Sequence, residues 1–97
     1  MTDRELLELA AKAAGIEHVT PMMLEWGKWN PLTDDGDALR MAVAMGMVVD
    51  TLNARAAFAK DFIDGQADRW LDGGGCARRA IVRAAADLGR NMLSSKP

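Results

Sequence analysis

The sequence predicts an α+β domain in which three helices pack on a small antiparallel sheet. Two windows, residues 3–14 and 34–45, each carry a helix start signal, an apolar face and a closing glycine. A third, residues 76–93, is rich in alanine and has apolar residues at helical spacing. Between the second and third, Met47-Val48-Val49-Asp50-Thr51-Leu52 is dense in β-branched residues, the composition of a strand. The alternative architecture is an all-helical bundle, in which residues 54–63 and 21–27 are helical too.

The first helix opens on Thr2 and Glu5, a capping-box pair three residues apart. Leu6, Leu9, Ala10 and Ala13 then share one face, and Arg4, Glu8 and Lys12 share the opposite one, with Glu8 and Lys12 in the favourable order for an ion pair. Gly15 stands where a C-terminal cap belongs. Two readings fit the stretch that follows. Thr20-Pro21 starts a short helical turn, or Ile16–Val19 and Met22–Trp26 form two short strands, with Met22, Leu24 and Trp26 alternating onto one face. Asn30-Pro31 marks a turn, because the residue before proline avoids the helical region. Thr33 is the predicted N-cap of the second helix. Asp34, Asp35 and Asp37 complement the helix dipole in its first turn. Ala38, Leu39, Ala42, Val43 and Met45 form its expected apolar stripe, and Gly46 ends it.

After the strand at 47–52, Asn53-Ala54 is expected to turn the chain back. Composition and pattern then disagree over Arg55–Ile63. The alanines and the Phe58/Phe62 spacing favour helix. The alternation Ala56, Phe58 between two turn signals, Asn53 and Asp64-Gly65, favours a returning strand. Asp72-Gly73-Gly74-Gly75 reads as a flexible break. The third helix is expected to present Ala77, Ile81, Ala84, Ala85, Leu88 and Met92 on its apolar face, and Ser94–Pro97 to fray.

Ninety-seven residues make a single domain, expected to span 1–97. With 5% aromatics, no tyrosine and seven methionines, alanine and methionine must supply much of the apolar volume. The net charge of −2 gives no global electrostatic case for nucleic acid or an anionic membrane. Cys76 is the single cysteine, so an intrachain disulfide and a cysteine-based zinc site are both excluded, which suits a reducing cytosol. No stretch reads as a signal peptide or reaches the ~20 apolar residues of a membrane span. A cytoplasmic location is therefore expected.

Three runs carry a family resemblance. They are Thr2–Gly15, the segment Trp29-Asn30-Pro31-Leu32-Thr33-Asp34-Asp35-Gly36-Asp37-Ala38-Leu39-Arg40-Met41-Ala42, and Ala77–Gly89. Together they cover roughly half the chain, in order, and resemble a group of small bacteriophage proteins of unknown function, the NinX-like or phage ABA-sandwich group. The resemblance implies a phage or prophage gene product, acting in the cytoplasm of a bacterial host, with helices on a small antiparallel sheet. It therefore tilts Arg55–Ile63 toward strand. It supplies no catalytic or binding residue.

Candidate chemistry is thin. His18 is the sole histidine and has no companion in sequence for a metal site or a triad. Counted from Asp34, the glycine and glutamate positions of a calcium loop hold Leu39 and Met45, so the aspartates read as capping groups. The glycine triplet lacks the lysine and hydroxyl residues of a phosphate loop. Cys76, beside a helix start, reads as a small, partly buried residue. No catalytic residue, cofactor or metal is expected, and an enzyme would need Cys76 or an aspartate to meet His18. The leading expectation is a non-enzymatic protein that binds a host or phage protein, or a second copy of itself. Trp26, Trp29 and Trp70, with Met22 and Met23, are its candidate contact residues. The alternative is association with nucleic acid through Arg78, Arg79, Arg83 and Arg90 on the last helix.

Overall fold

The chain is α+β, as its periodicity predicts. The computed structural model describes residues 2–15, 29–67 and 69–94, the last three by backbone alone. Helix α1 spans Asp3–Ala13. The Thr2 hydroxyl accepts the Glu5 N–H at 3.1 Å, the N-cap bond, and donates to the Glu5 carboxylate at 3.1 Å, so the predicted pair meets at the helix start. Gly15, at φ +71°, ends the helix. The face turned inward is Leu7, Ala10 and Ala11, with Leu6, Leu9 and Ala13 half-buried at its border. The expected stripe is thus rotated by about one residue.

Helix α2 spans Asp35–Ala44. Asp34, not Thr33, is its N-cap, accepting the Gly36 N–H at 3.0 Å. Thr33 instead closes the preceding turn, its N–H bonded to the Asn30 carbonyl. The predicted stripe is half wrong. Ala38, Met41 and Ala42 are buried, whereas Leu39 and Val43 are 63% and 73% exposed. Asp37 is the reason. Its carboxylate is buried, accepting the Asn30 N–H at 3.0 Å and the Arg40 guanidinium at 2.6 Å. Anchoring Asp37 inward carries Ala38, Met41 and Ala42 in with it and turns Leu39 and Val43 out. Burial opposes ionisation of Asp37, but the Asn30 amide and Arg40 outweigh it and hold the carboxyl below its ordinary range. Asp37→Ala is expected to cost about 2 kcal/mol, because it leaves the half-buried Asn30 N–H without its charged acceptor. A urea titration reads this directly.

Beyond Gly46, β1 (Met47–Asp50) and β2 (Arg55–Phe58) pair antiparallel, Val49 opposite Ala56. The strand is two residues shorter than Met47–Leu52, because residues 51–54 form the turn. Asp50 organises it, accepting the Leu52 and Asn53 N–H groups, the Asn53 amide and the Arg55 guanidinium. Bonds from Asn53, reinforced by Arg55, pull the Asp50 carboxyl from 3.8 to about 2. A depressed carboxyl stabilises the fold fully above its unfolded value and loses that contribution as pH falls through the folded one. Stability is therefore expected to decline between pH 3.8 and about 2, with Asp50→Asn flattening the slope in pH-dependent urea melts.

Residues 55–63 divide between the two readings. Strand β2 gives way to a 3-10 turn at Ala59–Asp61, then to β3 (Phe62–Ile63), which pairs with β4 (Gln66–Ala67) around Asp64-Gly65. Both turn residues have positive φ, the conformation two-residue hairpins favour. Strand β5 (Leu71–Asp72) adds to β2, giving a sheet ordered β1-β2-β5.

Helix α3 spans Ala77–Ser94 and is central. It packs on α1, on α2 and on one face of the sheet. With neighbours on several sides, its buried arc is wider than the expected stripe and takes in Ala80, Ile81, Val82, Ala84, Ala85 and Ala86. Ala77 and Leu88 are half-buried. Most of the buried apolar residues described are alanines, and Met47, Val49, Phe58 and Leu71 close the core from the sheet side.

Candidate functional site

The run Trp29–Ala42 folds into a structural joint. The Asn30 side chain accepts the Leu32 N–H, and its carbonyl accepts the Thr33 and Asp34 N–H groups. Pro31 and Leu32 are buried beneath this turn. Arg78 reaches across from α3, donating to the Leu32 carbonyl at 2.9 Å and to Asp35 at 2.6 Å. The Asp35 carboxylate raises the Arg78 guanidinium further above its ordinary pKa. The acidic cluster is thus engaged in capping, in the buried turn and in the α2–α3 joint. Among the described residues no group of three or more potential ligands is placed to hold a metal ion.

Trp29 is half-buried against the core cluster. Trp70 is half-buried too, with the Arg55 guanidinium 4.1 Å over its ring and Phe62 edge-on at 5.5 Å. These contacts are worth about 1 kcal/mol each. Both tryptophans therefore pack within the chain. Trp26, Met22, Met23 and His18 lie outside the described residues, as do the two strands considered for 16–28. Cys76 is half-buried at the start of α3.

The glycine triplet is not a flexible break. Gly73 is buried, its N–H bonded to the Ala54 carbonyl at 2.8 Å and its carbonyl accepting the Cys76 N–H. Gly74 and Gly75 hold φ of +65° and +92°, which glycine alone adopts cheaply. Asp72 fixes the turn by accepting the Gly74 N–H at 2.6 Å.

Three arginines of α3, Arg78 not among them, flank a groove of about 320 Å³. Among the described residues, Leu6 of α1, Leu71 of β5 and Ala86 give it apolar walls. Arg79, Arg83, Arg90 and Asp87 give it charge. Arg79 makes a two-pronged pair with Asp3 at 3.0 and 3.2 Å, which lowers the Asp3 carboxyl and raises the guanidinium. Arg83 donates to the Asp72 carbonyl at 2.9 Å, and Asp87 pairs with Arg69 at 2.9 Å. The helical spacing placed these arginines on one face, but Leu6, Leu71 and Asp3 come from elements distant in sequence.

A second exterior feature is apolar. Leu39 and Val43 stand one turn apart on the outer face of α2, Val48 on the edge strand β1 is partly exposed, and Leu52 in the following turn is 91% exposed. Sequence reading missed this surface because it assigned Leu39 and Val43 to the core.

No protein-family model matches the chain, and no curated protein and no solved structure is similar to it. Among the described residues no helix is long and apolar enough to cross a membrane.

Proposed function

We propose that this chain is a phage-encoded accessory protein without catalytic activity, which acts by binding another protein in the host cytoplasm. The partner is a phage or host protein or a second copy of the chain. The observation that carries the reading is the inversion of apolar size between inside and outside. The core is filled mostly with alanine, while Leu39, Val43 and Leu52 face solvent. Stability alone favours the larger side chains inside. A pair of large aliphatic groups one helical turn apart is the kind of anchor a partner buries.

The phage assignment rests on the likeness of Thr2–Gly15, Trp29–Ala42 and Ala77–Gly89 to the small phage proteins. Association with nucleic acid through Arg78, Arg79, Arg83 and Arg90 is the weaker reading, because Arg78 and Arg79 are paired with Asp35 and Asp3. The test is light scattering with chemical crosslinking, on the parent chain and on Leu39→Ser/Val43→Ser. The expected result is a mass above the 10.5 kDa monomer, or a defined crosslinked partner, that the double variant loses. A monomer at every concentration, with no partner sensitive to these substitutions, overturns the proposal.

A further inference from the structure

We infer that the outer face of α2 is the contact between two copies of this chain, with their α2 helices antiparallel across a two-fold axis. The inference rests on the reading of that face as a protein-binding surface and names its occupant. Gly36, Leu39, Val43 and Gly46 follow one another at intervals of three, four and three residues, the spacing of a helix-packing seam. Leu39, Val43 and Gly46 are exposed, and Gly36 is half-buried. The opposite side of the helix, with Ala38, Met41 and Ala42, is buried in the core.

The order of sizes along this seam is self-complementary. Turned end for end, glycine-leucine-valine-glycine sets large against large and small against small. Leu39 meets Val43 of the second copy, Val43 meets its Leu39, and Gly36 meets its Gly46. A two-fold interface requires this reciprocity, because every contact occurs twice. The aliphatic pairs fill the middle. The glycines, about 15 Å apart along the axis, let the two backbones approach at both ends.

Charge selects the same orientation. Arg40 lies over Gly36, where a Cβ would be 3.3 Å from one of its guanidinium nitrogens. The bond to Asp37 at 2.6 Å holds it there and uses one of its five N–H donors. In the antiparallel pair, that guanidinium arrives at the last turn of the second copy's α2. This turn has no basic residue of its own, and its terminal carbonyls form the negative end of the helix dipole. A parallel pair would set Arg40 against Arg40 and the two dipoles side by side in the same sense.

Area sets the strength. A standard interface takes about 800 Å² from each partner. Helix α2 is about 15 Å long and covers part of that. Strand β1 packs against α2, and Val48 and Leu52 widen the apolar surface beside it. A reversible dimer with a dissociation constant in roughly the micromolar range is expected.

The test is sedimentation equilibrium of the whole chain over a concentration series, followed by charge substitutions at the seam. The parent is expected to pass from the 10.5 kDa monomer to twice that mass. Leu39→Glu and Val43→Lys, each alone, are expected to weaken the dimer about a hundredfold or more, because each buries an unpaired charge twice. An equimolar mixture of the two variants is expected to regain a dimer. The antiparallel seam sets the introduced carboxylate against the introduced ammonium and keeps one native pairing of Leu39 with Val43. A parallel pairing gives no such recovery, since each position then meets itself. Both sites are exposed, so circular dichroism of the variants is expected to match the parent. The concentration series needs no substitution and decides the matter even where a variant folds poorly. A parent that stays monomeric at millimolar concentration, a dimer indifferent to both substitutions, or a mixture that stays monomeric overturns the inference. A monomeric parent that still yields a partner sensitive to Leu39→Ser/Val43→Ser overturns the second copy alone and leaves the wider binding reading in place.

Discussion

Replacing Gly89 by alanine is expected to lower stability by about 3 kcal/mol or more, the upper range for forcing atoms into a packed interface. Helix propensity alone gives the opposite sign, since alanine in a helix interior is favoured over glycine by about 1 kcal/mol. Geometry decides the matter. A Cβ at position 89 would lie 2.2 Å from the Leu9 carbonyl oxygen and 3.0 Å from its carbon. These are backbone atoms of α1, so no rotamer change relieves the clash and Leu9→Ala does not rescue it. Only a shift of α1 away from α3 makes room, and that shift opens contacts along Leu7, Ala10, Ala84 and Ala85. Thermal unfolding of Gly89→Ala is expected to show a Tm lower by the order of 12 °C. An unchanged or raised Tm would mean that the helices are not in van der Waals contact at this point.

The fold was legible wherever a local signal had a single physical cause. Thr2 and Glu5 announce α1 because an orphan N–H of the first turn needs a side-chain acceptor, and the Thr2 hydroxyl both accepts the Glu5 N–H and is held by the Glu5 carboxylate. The β-branched run at 47–52, of which 47–50 forms the strand, and the Asp64-Gly65 turn were similarly direct. What sequence could not weigh was competition between two faces of one helix. In α2, hydrophobicity points to Leu39 and Val43, whereas the bond from the Asn30 amide to Asp37 points to Ala38 and Met41. With Asp37 held to the Asn30 amide the rotation of α2 is set, and Leu39 and Val43 turn outward with it. An aspartate seven residues after an Asn-Pro turn was the available signal, and it was absorbed into the helix-dipole reading. Residues 55–58 were ambiguous for a related reason. Alanine favours helix in isolation, yet at Ala56 it is the side chain small enough to let α3 lie close on the sheet. At the groove, the spacing of Arg79, Arg83 and Arg90 placed them on one face. The walls, and the Asp3 partner 76 residues away, are tertiary facts with no local trace.

Gly73→Ala is expected to be as damaging, by about 3 kcal/mol, and more so than Gly74→Ala beside it. The ordering reverses what conformation alone suggests. Gly74 has φ +65°, so alanine there pays a left-handed strain of about 1 kcal/mol, but its Cβ would meet open space. Gly73 has no such φ, yet a Cβ would sit 2.0 Å from the Cys76 carbonyl oxygen and 2.7 Å from the Ala80 nitrogen. Those two atoms are hydrogen-bonded to each other at 3.1 Å, in the first turn of α3. The intruding methyl group must therefore break that turn or push β5 away from it. Pushing β5 away also strains the bond from the Gly73 N–H to the Ala54 carbonyl, which joins the triplet to the turn before β2. Damage is expected to spread to the β2–β5 pairing, so amide exchange at residues 55, 56 and 73 should accelerate in Gly73→Ala and stay near the parent rate in Gly74→Ala. Equal tolerance of alanine at both positions would show that the triplet is a spacer after all, with α3 positioned by its other contacts.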